Sequence, residues 1–204
     1  MPFEPFTILT AVAAPLDRVN VDTDQIFPSR FLHKPRVPDF GKQAFHDLRF
    51  DAQGNEIPSF VLNQPAYRNA KIIVAGANFG CGSSREGAVY ALYDFGIRSV
   101  IAPSFGDIHS ANQLQNGMLP LVMSDEICVT IRMQLREQPG VFLTIDLAAQ
   151  SVTGPDGSIY RFEIVPNTKE RLLKGLDDVG LTMQSVAEIE RFEKCYYTDQ
   201  PWLA

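Results

Sequence analysis

The strongest constraint on this chain is a pair of short apolar runs, Ile72-Ile73-Val74-Ala75 and Ser99-Val100-Ile101-Ala102, separated by a glycine-rich turn and one amphipathic stretch. Continuous apolar runs of this length suit strands buried on both faces. Between them, Ala88, Ala91, Leu92 and Phe95 fall at i, i+3, i+4 and i+7, which gives a helix one apolar face, and Gly96 stands where a left-handed C-terminal cap is expected. Pro103 closes the second run, and Ser104 is placed to cap a further helix from about Phe105 to Asn116, with Gly117 ending it. Strand, helix, strand, helix predicts a parallel sheet with right-handed crossovers.

Around this unit the signals are weaker. Phe6 to Val12 reads as a strand, and Asn20-Val21-Asp22-Thr23-Asp24-Gln25 as a polar turn feeding Ile26-Phe27. From Pro28 to about Pro65, prolines and glycines lie among aromatics; a span this long is either a binding lid or an ordered excursion held down by Phe31, Phe40, Phe45 and Phe50. Beyond Met118 to Val122 the signals become mixed. Ser124-Asp125 opens a helix that reaches about Gln138, Val141 to Leu147 reads as a strand, and Asp156-Gly157 between Val152 and the Ile159 to Ile164 run signals a hairpin. Helices are expected at 166–174 and 184–194. No repeat or linker divides the chain, so residues 1–204 are expected to form one mixed α/β domain.

Composition excludes several classes. With 204 residues, 45% of them hydrophobic and 21% charged, the chain can build a core without staples. Its net charge of −6 argues against a nucleic-acid groove, which needs a basic stripe. No apolar run approaches the roughly 20 residues of a membrane helix. The first residues lack the basic start and apolar centre of a signal peptide, so a cytoplasmic location is expected. Cys81, Cys128 and Cys195 are odd in number, far apart and without a CxxC, and His33, His46 and His109 show no short metal-ligand spacing. Any metal must therefore come largely from elsewhere.

Chemistry is expected at Gly80-Cys81-Gly82-Ser83-Ser84-Arg85-Glu86, which joins the carboxyl end of a buried strand to a helix N-terminus. Gly80 and Gly82 let the backbone turn sharply, and the helix's first amides with its dipole favour an anion. Arg85 adds a fork for a carboxylate, and Ser83 and Ser84 add hydroxyls. The segment lacks the sixth-position glycine of a dinucleotide fingerprint, the Gly-Lys-Ser/Thr of a P-loop and the final glycine of a nucleophile elbow. The alternative is purely structural: Ser83 or Ser84 caps the helix while Arg85 pairs with a neighbouring acid.

At this segment the sequence resembles the small subunit of 3-isopropylmalate dehydratase, itself similar to the C-terminal swivelling domain of aconitases. The matching blocks span nearly the whole chain: Asn20-Val21-Asp22-Thr23-Asp24-Gln25-Ile26, Phe40-Gly41, Phe60-Val61-Leu62-Asn63, Asn78 to Glu86, Asp94-Phe95-Gly96, Val100 to Phe105 and Gly175-Leu176-Asp177. The resemblance implies a three-layer β/β/α swivelling domain with a mixed sheet around a parallel βαβ core. It implies a hydro-lyase active only with a large subunit, as a heterodimer or heterotetramer. The [4Fe–4S] cluster would be held by that partner and no cofactor by this chain. The reaction would convert 2-isopropylmalate to 3-isopropylmalate through isopropylmaleate, by dehydration and rehydration in leucine synthesis. The alternatives are a related hydro-lyase acting on dimethylmalate or citraconate, or a non-catalytic anion-binding module.

By the same resemblance, Ser83 is the base that removes a carbon-bound proton, and Arg85 clamps a carboxylate. A serine hydroxyl is a poor base at neutral pH, so the site must stabilise its alkoxide. Ser84 and Gly82 would hold a substrate carboxylate. Asp22, Thr23 and Asp24 lie in the family near the rim and would contact substrate; Asp22 or Asp24 would orient Arg85 or close against the partner, the alternative being plain turn chemistry. Phe27, Phe31 and Leu32 are candidates for contacting an isopropyl group. His109 is read either as lying near the site or, the favoured reading, as a solvated helical residue, and Cys81 as a small, tightly placed one and not a ligand. Many bacterial members have histidine after Ser-Ser-Arg-Glu where this chain has Gly87, a departure that bears on substrate choice.

Overall fold

The computed structural model describes residues 3–203. The first strand, β1 (Ile8–Leu16), leads to the short helices α1 (Thr23–Ile26) and α2 (His46–Arg49), with single 3-10 turns at Ser29–Phe31, Phe40–Gln43 and Val61–Asn63. The central unit follows as β2 (Ile72–Ala75), α3 (Glu86–Phe95), β3 (Ser99–Ala102), α4 (Asp107–Gln115) and β4 (Leu119–Val122). Then come α5 (Asp125–Glu137), β5 (Phe142–Asp146), β6 (Ser151–Thr153) and β7 (Ile159–Arg161), and finally α6 (Pro166–Lys174), α7 (Asp178–Thr182) and α8 (Val186–Asp199).

One seven-stranded mixed sheet runs in the order β4-β3-β2-β1-β5-β6-β7. The strands from β4 to β1 are mutually parallel, and those from β1 to β7 pair antiparallel. The expected α/β class, parallel βαβ core and later hairpin are all present. All four residues of β2 and of β3 are buried, because both faces are covered. Ile73 and Ala75 face a layer made by α3 and the aromatics of the loop, while Ile72 and Val74 face α5.

Several boundaries differ from those read off the sequence. The first strand runs to Leu16, through Pro15, because its β5 partner ends opposite Val12. Beyond that point only β2 pairs with it, so the missing amide of proline costs no ladder bond on the open side. Pro120 is tolerated in β4 for the related reason that β4 is an edge strand. The long span is the ordered excursion: Phe31, Phe40 and Phe45 are buried in the core and Phe50 partly so. No helix among the described residues is long and apolar enough to cross a membrane.

Candidate functional site

Three loops leave the carboxyl edge of the parallel strands side by side: residues 17–22 after β1, 76–85 after β2 and 103–106 after β3. Backbone hydrogen bonds lace them together. Gly80 N donates to Val21 O at 2.7 Å and Thr23 N to Cys81 O at 2.9 Å. On the other side Phe79 N donates to Ser104 O at 3.0 Å and Gly106 N to Phe79 O at 2.9 Å. Between the loops lies a cleft of about 180 Å³, lined among others by Thr23, Gly82, Ser83, Ser84, Arg85 and His109. It sits where ligands of open α/β sheets bind.

Ser83 and Ser84 face solvent at the amino end of α3. Neither hydroxyl caps the helix: the cap position is Arg85, in extended conformation, with no side-chain hydrogen bond to the first turn. The helix end and its dipole are thus left for an anion. Gly80 and Gly82 take φ of +73° and +90°, the left-handed values that a sharp turn demands of glycine. Gly96, at φ +115°, closes α3 as expected.

The Asp22-Thr23-Asp24 turn divides three tasks. Asp22 caps α1, accepting from Gln25 N at 2.7 Å. Buried Thr23 donates its hydroxyl to Ser83 O at 2.7 Å, holding the serine turn from below. Asp24 accepts from Arg85 Nη1 and from Ser29 N, and the guanidinium first, then that amide, hold its carboxyl below the usual carboxylate range. Arg85 is mostly covered, with 16% of its side chain exposed against 53% for Asp24, so the acid marks the rim and the arginine the wall. Both alternatives for Arg85 are thus visible together: it lines the cleft and pairs with an acid.

Other expectations are corrected. Ser104 does not cap α4, whose cap position is Gly106; the Ser104 hydroxyl instead accepts from Asn78 N at 2.9 Å. Phe27 and Phe31 lie inside the core, which leaves Leu32 as the solvent-facing member of that trio. A Cβ on Gly87 would stand 2.9 Å from Phe27 Cε1, so close packing on that ring accounts for glycine there. His109 is not solvated but 3% exposed, beneath Gly80, and burial pushes its imidazole down to about 4. Gly106, Asp107 and Ile108 were missed as lining residues. The signal was present in the second strand-to-helix junction, Ala102-Pro103-Ser104-Phe105-Gly106, which topology places on the same edge.

Among the described residues no group of three or more His, Cys, Asp or Glu side chains converges to hold a metal ion. Cys128 is buried, which raises its thiol to about 11, and Cys195 is exposed and remote in sequence from the turn. The donor set of an iron–sulfur cluster does not fit these residues.

Comparison with known proteins gives this geometry a context. Residues 3–126 match the Aconitase C-terminal domain, 133–166 match LeuD_N, and 178–204 match the C-terminal domain of the 3-isopropylmalate dehydratase small subunit. The 3-isopropylmalate dehydratase small subunit of Parvibaculum lavamentivorans is 52% identical over 198 residues, 97% of this chain and 98% of that protein. Those of Paramagnetospirillum magneticum and Azorhizobium caulinodans are 51% and 52% identical, each over 98% of this chain and the whole of theirs. A solved 3-isopropylmalate dehydratase structure from Methanocaldococcus jannaschii shares the fold, with a TM-score of 0.67 over 90% of this chain and 99% of that one at 24% identity. An identity near one half, sustained over nearly the whole chain, leaves one conclusion: the chain belongs to the 3-isopropylmalate dehydratase small subunit family.

Proposed function

We propose that this chain is the small subunit of a 3-isopropylmalate dehydratase, interconverting 2- and 3-isopropylmalate through isopropylmaleate in leucine synthesis. Residues 1–204 act as one swivelling unit in the cytoplasm, paired with a large subunit. The observation that carries the reading is the pair of solvent-facing serines, Ser83 and Ser84, beside the half-buried Arg85 at an uncapped helix end, on a chain of this family. The [4Fe–4S] cluster, carried by the large subunit, supplies the Lewis acid for the substrate hydroxyl.

The roles of this chain's own residues follow from their placement. Arg85, steadied by Asp24, offers a fork to one carboxylate, and Ser84 with the first amides of α3 offers donors to the same charge. Ser83 Oγ, as the alkoxide, takes the proton from the carbon next to the carbinol. The C–H electron pair becomes the new π bond, and the hydroxyl departs from the neighbouring carbon with its own bonding pair. Rehydration in the opposite sense returns proton and hydroxyl to exchanged carbons. Water exclusion on closure strengthens every one of these electrostatic contacts. The Thr23 hydroxyl keeps the Ser83 carbonyl, and hence the side chain, in register.

The test is reconstitution with the cluster-bearing large subunit under anaerobic conditions, followed by the absorbance of isopropylmaleate. Wild type is expected to equilibrate the two isopropylmalates, and Ser83→Ala to lose about 10²- to 10⁴-fold in kcat, the range for removing a positioned base. Unchanged turnover in the alanine variant would overturn the role of Ser83.

A further inference from the structure

Within the first half of α4, one side chain is at odds with its surroundings. His109 is 3% exposed, it lines the serine-arginine cleft, and neither ring nitrogen has a hydrogen-bond partner in the protein. Its ring is pressed against the glycine turn: a Cβ on Gly80 would stand 2.1 Å from His109 Cδ2 and 2.3 Å from Cγ. Phe79 covers it as well, with ring centroids 5.7 Å apart. A phenylalanine would fill this place without leaving polar atoms buried and unsatisfied, which folded proteins avoid. Gln113, one helical turn on, is also buried with neither amide atom partnered, so it does not satisfy the imidazole. With both ring nitrogens unserved by the protein and the residue lining the cleft, the partner they lack is a group that enters there.

We propose that His109 is a further substrate-contacting residue, a neutral imidazole beneath the serine turn that hydrogen-bonds a carboxylate or hydroxyl oxygen of the bound diacid. The inference rests on the reading of the cleft as the dehydratase site. Burial keeps the ring uncharged in the working range, so it donates a hydrogen bond without adding a second cation beside Arg85. The donor is built into a helix anchored against Gly80 and so is held in place before substrate arrives.

The test compares wild type, His109→Phe and His109→Asn in the reconstituted complex, reading KM and kcat for isopropylmalate together with the thermal midpoint of the small subunit. Phenylalanine is expected to raise KM about tenfold, the value of one lost hydrogen bond, with kcat changed less. It is also expected to raise the midpoint by about 2–4 °C, because buried orphan atoms are removed. Asparagine, which keeps a donor, is expected to hold KM within about threefold of wild type. A structural role predicts the reverse pattern, a lower midpoint with KM untouched, and that result overturns the proposal, as does an unchanged KM at any stability. Should the phenylalanine chain fail to assemble, His109→Ala replaces it with the same criterion on KM. A wild-type complex inert toward isopropylmalate defeats the dehydratase reading itself; an active wild type with an indifferent His109→Phe defeats only this inference.

Discussion

Gly80→Ala should be among the most damaging single-methyl additions at the site, and its cost can be worked from two separate causes. The first is conformational. With φ at +73°, an alanine pays about 1–2 kcal/mol for the left-handed region, offset by about 0.5 kcal/mol from a stiffer unfolded chain. The second is steric. The new Cβ would fall 2.1 Å from His109 Cδ2 and 2.7 Å from His109 Cβ, so helix α4 or the turn must move, at about 1–3 kcal/mol for overpacking. Together these predict a loss of about 2–4 kcal/mol, or about 1–2 M in the urea midpoint. Gly157→Ala is the control, since Gly157 has φ +82° but nothing within 4 Å of a Cβ; it should lose only the conformational part, about 1 kcal/mol. Adding His109→Ala to Gly80→Ala should recover about 1–3 kcal/mol relative to the summed single costs, because the colliding ring is gone. Equal midpoints for Gly80→Ala and Gly157→Ala would refute the claim that the imidazole is wedged under the turn.

The burial of His109 also sets a pH dependence. Its folded value of about 4 lies below the ordinary 6.5, so the unfolded chain binds the proton more readily. Stability from this group is therefore full above about pH 6.5 and falls as the pH drops toward 4, by about 2–3 kcal/mol, and His109→Phe should flatten that limb in denaturation curves taken from pH 4 to 7. Asp47 behaves differently: its partner Arg30 lowers it to about 2 from 3.8, so its contribution is present above about pH 4 and lost between 4 and 2. Being half exposed, it should add under about 1 kcal/mol, which Asp47→Asn measures by the difference in acid midpoint. Thr23→Val removes the hydroxyl that holds Ser83 O; it should cost about 1–3 kcal/mol of stability and lower kcat in the complex, and a stability loss with unchanged kcat would detach this bond from the serine's alignment. Gly87→Ala gains about 1 kcal/mol of helix propensity but forces Phe27 aside, so the two should nearly cancel in the denaturation midpoint.

Local periodicity made much of the fold legible. The apolar runs at 72–75 and 99–102, the i, i+3, i+4 face of α3 and its terminal glycine are short-range patterns, and each survived folding with little change. The Asp156-Gly157 hairpin was equally plain, since a turn of that kind is specified by its own residues. Less legible were features that depend on a neighbour. The extension of β1 through Pro15 follows from where β5 stops, and the edge position of β4 is what admits Pro120.

The candidate site divides in the same way. Glycine, serine and arginine between a strand and a helix form one continuous segment, so the sequence by itself determined that a sharp glycine-rich turn carrying serines and an arginine stands at that helix end. What the turn rests on comes from residues about 60 positions earlier and about 30 later: Thr23 under Ser83, Asp24 against Arg85, His109 beneath Gly80. A helical pattern reports only which face of α4 is apolar, and with histidine and glutamine on the inner face that pattern pointed outward. Only the packing of α4 against the glycine turn could bury them, because burial is a property of what lies opposite a side chain, and the sheet order decided that.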